Sequence, residues 1–147
     1  MSSEIKNFKK EHYIGTWYKY GSALKWYQPM IDNLVLNCTG DMKFTMDFTL
    51  LKTKQKLNGK LQILGHPTSV KMSIDQKVLF MNPVKTLTIV DVIKSKHNKY
   101  IVLLTDDNIL TVLCNSLNVP KEDNDAIMNV VRNFNFKEKD FKISKYD

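Results

Sequence analysis

The chain has 147 residues, 43% of them hydrophobic and 25% charged, with five glycines and four prolines. Those numbers exclude a disordered or collagen-like polymer and suffice to bury a substantial core, so one domain spanning 1–147 is expected. The formal charge of +7 comes almost wholly from lysines scattered along every segment, with Arg132 the only arginine. A solvated lysine exterior is expected rather than a nucleic-acid surface, which recruits clustered arginine; weak steering of an anionic ligand or membrane surface stays open.

No apolar run approaches the roughly 20 residues that cross a bilayer, so no stable membrane insertion is expected. The opening MSSEIKNFKKEHY lacks the apolar centre of a signal peptide. A cytoplasmic protein is expected of the sequence as it stands, the alternative being a secreted one whose leader was replaced by a methionine. His12, His66 and His97 fall in unrelated segments and two cysteines make no CxxC pattern, so neither a metal site nor a cofactor is expected.

The first strand opens at Gly15 in YIGTWYKYGS, with Trp17 and Lys19 on one side and Tyr18 and Tyr20 on the other. A loop, ALKWYQPM, follows, and then the strand DNLVLNC. From Met42 to Leu50 the sequence alternates strictly: Met42, Phe44, Met46, Phe48 and Leu50 share one face, Lys43, Thr45, Asp47 and Thr49 the other. GKLQILG aligns Leu61 with Ile63, and SVKMSIDQK aligns Val70, Met72 and Ile74. KTLTIVDVIKS, KYIVLLTDD and NILTVLCNS are β-branched strands. Turn signals stand between them at Thr39-Gly40-Asp41, Asn58-Gly59, His66-Pro67, Asn82-Pro83, Lys96 to Asn98 and Asp106 to Asn108. VPKEDNDAIMNVVRNF then reads as a helix, with Pro120 and two acidic residues in its first turn and Ile127, Val130, Val131 and Phe134 on one stripe. DFKISKY supplies a short ninth strand.

An antiparallel meander of eight strands removes its free edges by closing. The expected fold is therefore all-β: an eight-stranded antiparallel up-and-down barrel with one C-terminal α-helix and a short ninth strand. At that strand number the interior is either packed solid or holds one small ligand. A Met, Phe, Leu and Ile lining offers an apolar cavity, although the same residues can simply pack on one another.

Gly15-x-Trp17-Tyr18 on a first strand, eight strands in hairpin order, a helix and a last strand: this arrangement resembles the lipocalin family over nearly the whole chain. Its apolipoprotein D and bilin-binding branch is the nearest likeness. The resemblance implies that Trp17 faces inward and plugs the narrow end of the barrel, while Gly15 lets the chain turn closely into the strand. The family's second motif, Thr-Asp-Tyr between strands six and seven, is matched by Val90-Asp91-Val92 with only Asp91 retained; the rival Thr105-Asp106-Asp107 leaves one strand too few before the helix. The third motif is an arginine stacked on the tryptophan, and Asn115 stands there. Asparagine cannot supply that cation–π contact, worth roughly 0.5–2 kcal/mol, so the chain is a divergent case, with Lys19 or Arg132 as possible substitutes. Fatty-acid-binding proteins also carry G-T-W near their start, but they insert two helices after the first strand and lack the late one.

Cys114 alternates with Leu113 and Asn115 and is expected to face outward beneath the helix. Cys38 ends the second strand, with the first strand standing between the two, so two free thiols are expected. Free thiols favour a reducing compartment, whereas Asn37-Cys38-Thr39 matches an N-glycosylation triplet that matters only in a secreted protein.

The resemblance implies a carrier of one small hydrophobic molecule, of the lipid, retinoid or tetrapyrrole class, bound as cargo by a monomer. Cavity-wall candidates are Leu34, Leu36, Phe44, Met46, Phe48, Leu61, Ile63, Met72 and Leu87, with Trp26, Tyr27 and Met30 as a lid. Lys19, two positions after Trp17, either meets an anionic head group or reaches solvent at the strand's end. Two other functions stand beside the carrier. One is an interaction module with a packed barrel that binds a partner protein through loops or an outer face carrying Tyr18 and Tyr20. The other, less favoured, is an enzyme with a cavity cysteine as nucleophile, which needs a base that depresses its pKa.

Overall fold

Strict alternation from Phe44 to Phe48 becomes a wall with Phe44, Met46 and Phe48 buried and Thr45 and Asp47 half-buried. The computed structural model describes residues 3–23, 31–76 and 83–146. A short helix α1 (Ser3–Lys6) and a 3-10 turn (Lys10–Tyr13) precede the sheet. The strands are β1 (Gly15–Ala23), β2 (Ile31–Cys38), β3 (Lys43–Leu50), β4 (Thr53–Leu64), β5 (His66–Ile74), β6 (Val84–Lys94), β7 (Lys99–Thr105) and β8 (Leu110–Cys114). Helix α2 (Lys121–Asn133) and β9 (Phe141–Ile143) follow.

From β1 to β8 each strand pairs antiparallel with the next, and β1 closes the circle by pairing with both β2 and β8. Its first half faces β2 (Trp17 opposite Leu36) and its second half faces β8 (Lys19 opposite Leu113). The register slips between Lys19 and Gly21, and β9 adds to β1 outside the barrel there, with Gly21 opposite Ile143. Only glycine admits that approach, because a Cβ on Gly21 would lie 2.6 Å from the Phe141 ring.

Two apolar cores result. One fills the barrel; the other lies between its outer wall and α2, where Tyr100, Val102, Val112 and Cys114 meet Ile127, Val130 and Val131. Cys114 thus lies under the helix, Cys38 points into the barrel, and both thiols are free.

Two turn expectations and one strand boundary are corrected. His66-Pro67 opens β5 instead of turning, and Gly65, at φ 79°, links β4 to β5. Asn58-Gly59 is no turn but the middle of β4; the β3–β4 connection is Leu51-Lys52, both with positive φ (49° and 70°). Hairpin geometry imposes those values on two residues that give no turn signal. Met42 adopts φ 60° ahead of β3, which begins at Lys43, and packs against the barrel core from the turn.

Candidate functional site: the barrel interior

The floor of the barrel is built by the chain's first residues. Gly15 starts β1 at φ 125°, a conformation L side chains rarely adopt, and Trp17 then enters the interior with 5% of its surface exposed. Its indole Nε1 donates to the Tyr13 carbonyl at 3.0 Å, and the Tyr13 hydroxyl donates to the Pro67 carbonyl at the start of β5. Phe8 packs edge-on against Tyr13, with ring centroids 5.0 Å apart. Burial pushes the Tyr13 phenol well above its usual range, so it remains a hydrogen-bond donor.

Above this floor Trp17, Leu36, Phe44, Leu61, Met72 and Leu87 surround a wholly apolar cavity of about 30 Å³, to which Tyr13 and Cys38 also contribute. That volume holds a water or two and no lipid. Met46 and Phe48 are buried in the same core, and Leu34 and Ile63 pack against it. Trp26, Tyr27 and Met30 lie outside the described residues.

Lys19 brings a charge to this wall. Alternation places it on the inner wall next above Trp17, and it is 9% exposed rather than reaching solvent. Burial lowers its ammonium to about 8, with Asp32 opposing the change and Lys85 adding to it. Lys85, on β6, is itself paired with Asp107 at 3.5 Å.

The two remaining motif positions sit apart from Trp17's contacts. Asp91 lies within β6, at the bulge after Ile89, rather than in the connection to β7, and its carboxylate accepts the Val92 amide at 2.8 Å. Asn115 is exposed and its side-chain oxygen accepts the Lys99 amide at 3.1 Å. Arg132, considered as a substitute for the missing stacking arginine, pairs with Glu138 and Asn129 on the far side of α2.

Neither thiol is activated: burial pushes Cys38 up to about 11 and also raises Cys114, opposite to what a nucleophile needs. Tyr18 stacks edge-on against Tyr146, while Tyr20 packs on Phe141 and donates to Asn124 at 2.5 Å, so the chain's own C-terminal part covers both tyrosines. A groove of about 780 Å³ remains on the outer side, bordered by Val35, Asp47, Thr49, Leu117 and Tyr146. Sequence reading missed the floor residues Phe8 and Tyr13; their signal was an aromatic pair in a segment otherwise polar.

No family model and no curated protein matches the sequence. Solved structures do match. Lobster apocrustacyanin A1 is 15% identical over 93% of this chain and 79% of its own, with a TM-score of 0.62. Lipocalin 12 from rat epididymis is 11% identical over 94% and 85%, at 0.65. The bovine lipocalin allergen Bos d 2 is 11% identical over 92% and 94%, at 0.59. At such identities the likeness concerns architecture alone: a closed eight-stranded antiparallel barrel with a C-terminal helix and an extra strand bonded outside it, which is the lipocalin fold.

Proposed function

We propose that this protein is a divergent lipocalin that reversibly binds one small hydrophobic molecule inside its barrel, and that it is a carrier rather than an enzyme. One observation carries the reading. Ile31, Leu34, Leu36, Leu50, Met72 and Leu87 belong to the inner core yet are only partly buried, so the barrel keeps apolar wall uncovered. Each Å² of such wall and ligand surface removed from water contributes about 25 cal/mol, enough for micromolar binding after ordering costs. The 30 Å³ at the floor is too small for that cargo, so the ligand occupies the barrel above Trp17 and Phe44, with Met46 and Met72 adapting to its shape. The raised thiol of Cys38 supports a binding role over nucleophilic catalysis. The likeness to the apolipoprotein D and bilin-binding branch rests on Gly15-x-Trp17 and the order of elements.

Native mass spectrometry of the protein from its own source, followed by extraction, tests the reading; a single retained small molecule is expected. An empty spectrum, with no quenching of Trp17 or Trp26 by a panel of hydrophobic probes, overturns it. The outer groove beside Tyr146 then favours the second reading, a module that binds a partner protein.

A further inference from the structure

An all-apolar cargo leaves Lys19 unexplained. Its side chain stands on the inner wall opposite Leu113, which itself lines the floor cavity. It is nine-tenths buried, and among the described residues no hydrogen bond reaches its Nζ and no carboxylate lies within 4.0 Å of it. Asp32 on β2 is close enough to be felt but does not pair with it, and the one lysine facing it from β6, Lys85, is already matched by Asp107. The residues 24–30 that join β1 to β2 and 77–82 that join β5 to β6 contain no Asp or Glu, and they add Lys25 and Lys77 instead.

A buried, unpaired ammonium costs several kcal/mol, whereas methionine or leucine at the same position would cost nothing. Local violations of this kind mark places where something else completes the site. A single lysine is a compact point charge with three donors, which suits one monoanionic oxygen pair; a dianionic phosphate would ask for more donors than Lys19 alone supplies.

We propose, building on the carrier reading above, that the cargo is an amphipathic carboxylic acid held head-down: its carboxylate pairs with Lys19 Nζ directly above the Trp17 floor, and its hydrocarbon tail runs along Leu34, Met46 and Phe48 toward the opposite end of the barrel. Charge pairing on an ammonium that is nine-tenths buried gives the head group its selectivity.

Calorimetric titration with dodecanoate and 1-dodecanol, below their aggregation limits, tests this on wild type and Lys19→Met. Wild type is expected to bind the acid at least about tenfold tighter than the alcohol, as one charge-assisted bond implies. Lys19→Met is expected to abolish that preference while binding the alcohol within about threefold of wild type. Equal binding of the two by wild type, or a preference that survives Lys19→Met, overturns the head-group assignment and leaves the carrier reading standing. Failure of both compounds to bind wild type overturns the head-group assignment, and the carrier reading falls with it when the native spectrum is empty and the probe panel gives no quenching.

A readout on wild type alone needs no folded variant. With Lys19 near 8, pairing with a carboxylate takes up little proton at pH 7 and close to one at pH 9, while the alcohol takes up none. The Tyr146 phenol, which donates to the Lys19 carbonyl, is raised by burial and adds no uptake in this range. Uptake of a full proton at both pH values means the acid binds neutral, and overturns the proposal.

Discussion

The Trp17 indole donates to the carbonyl of Tyr13, four residues earlier, at 3.0 Å, so the barrel's plug is tied to the turn that precedes it rather than to an opposite strand. Trp17→Phe keeps a ring in the floor but strands the Tyr13 carbonyl, and should lower stability by about 1–3 kcal/mol in urea unfolding. Trp17→Ala also opens a void and should lose about 3–5 kcal/mol. Equal losses in the two variants would mean that the bond, and not the packing, carries the effect.

Gly59 lies in mid-strand because Phe44 crosses the space above it. A Cβ there would sit 2.4 Å from the Phe44 ring and 2.3 Å from the Ser73 carbonyl oxygen. A ring can swing aside, but the backbone of β5 cannot. Gly59→Ala should therefore destabilise by about 2–3 kcal/mol or more, and Phe44→Leu should not rescue it. Rescue of the unfolding midpoint by that second change would show that the ring alone was the obstacle.

What could be read from the sequence follows from what side-chain period reports. Phe44, Met46 and Phe48 declared the inner face because alternation is local, and Ile127, Val130 and Val131 declared the helix stripe for the same reason. Asn58-Gly59 misled because a glycine that makes room for a distant ring looks like a glycine that turns. Leu51-Lys52 turns without any turn residue, forced by the pairing of the strands on either side. Phe8 and Tyr13 stayed hidden because the Tyr13 hydroxyl, against whose ring Phe8 packs, meets its acceptor Pro67 only once the barrel has closed. For Lys19 the inward side was legible but not its depth, since burial depends on how β1 parts from β2 and takes up β9.

Asp123 anchors α2 to the barrel from its first turn, 4% exposed, accepting from the Tyr100 hydroxyl at 2.5 Å and the Ser95 hydroxyl at 2.8 Å. Asn98 extends the network by donating to Tyr100 at 3.0 Å and to the Asn118 carbonyl at 2.7 Å. Pro120, at the helix start, offers no side-chain cap. Asp123→Ala should cost about 2–4 kcal/mol, and Tyr100→Phe about 1–2 kcal/mol. In a double-mutant cycle followed by circular dichroism the pair should cost less than the sum, because either change alone already leaves the shared bond broken. Additive losses would mean that the two groups act independently.

The empty protein should carry the cost of Lys19 as a pH dependence with a defined sign. Its ammonium titrates at about 8 in the fold against 10.5 in the open chain, so between those values the unfolded state holds more protons and stability rises with pH. Below about 8 both states are charged and the full cost is present. Cys38 acts in the opposite sense, since its thiol is raised from 9.0 to about 11 and the stability this brings is lost as pH climbs through that interval. Wild type alone therefore shows a blunted curve above pH 9. The gap between wild type and Lys19→Met isolates the lysine: the variant should be the more stable at pH 7, and its advantage should shrink by about 3 kcal/mol by pH 10.5. Urea midpoints across pH 6–11 with unchanged m-values measure it, and a gap that does not vary with pH would mean that the ammonium remains hydrated in the fold.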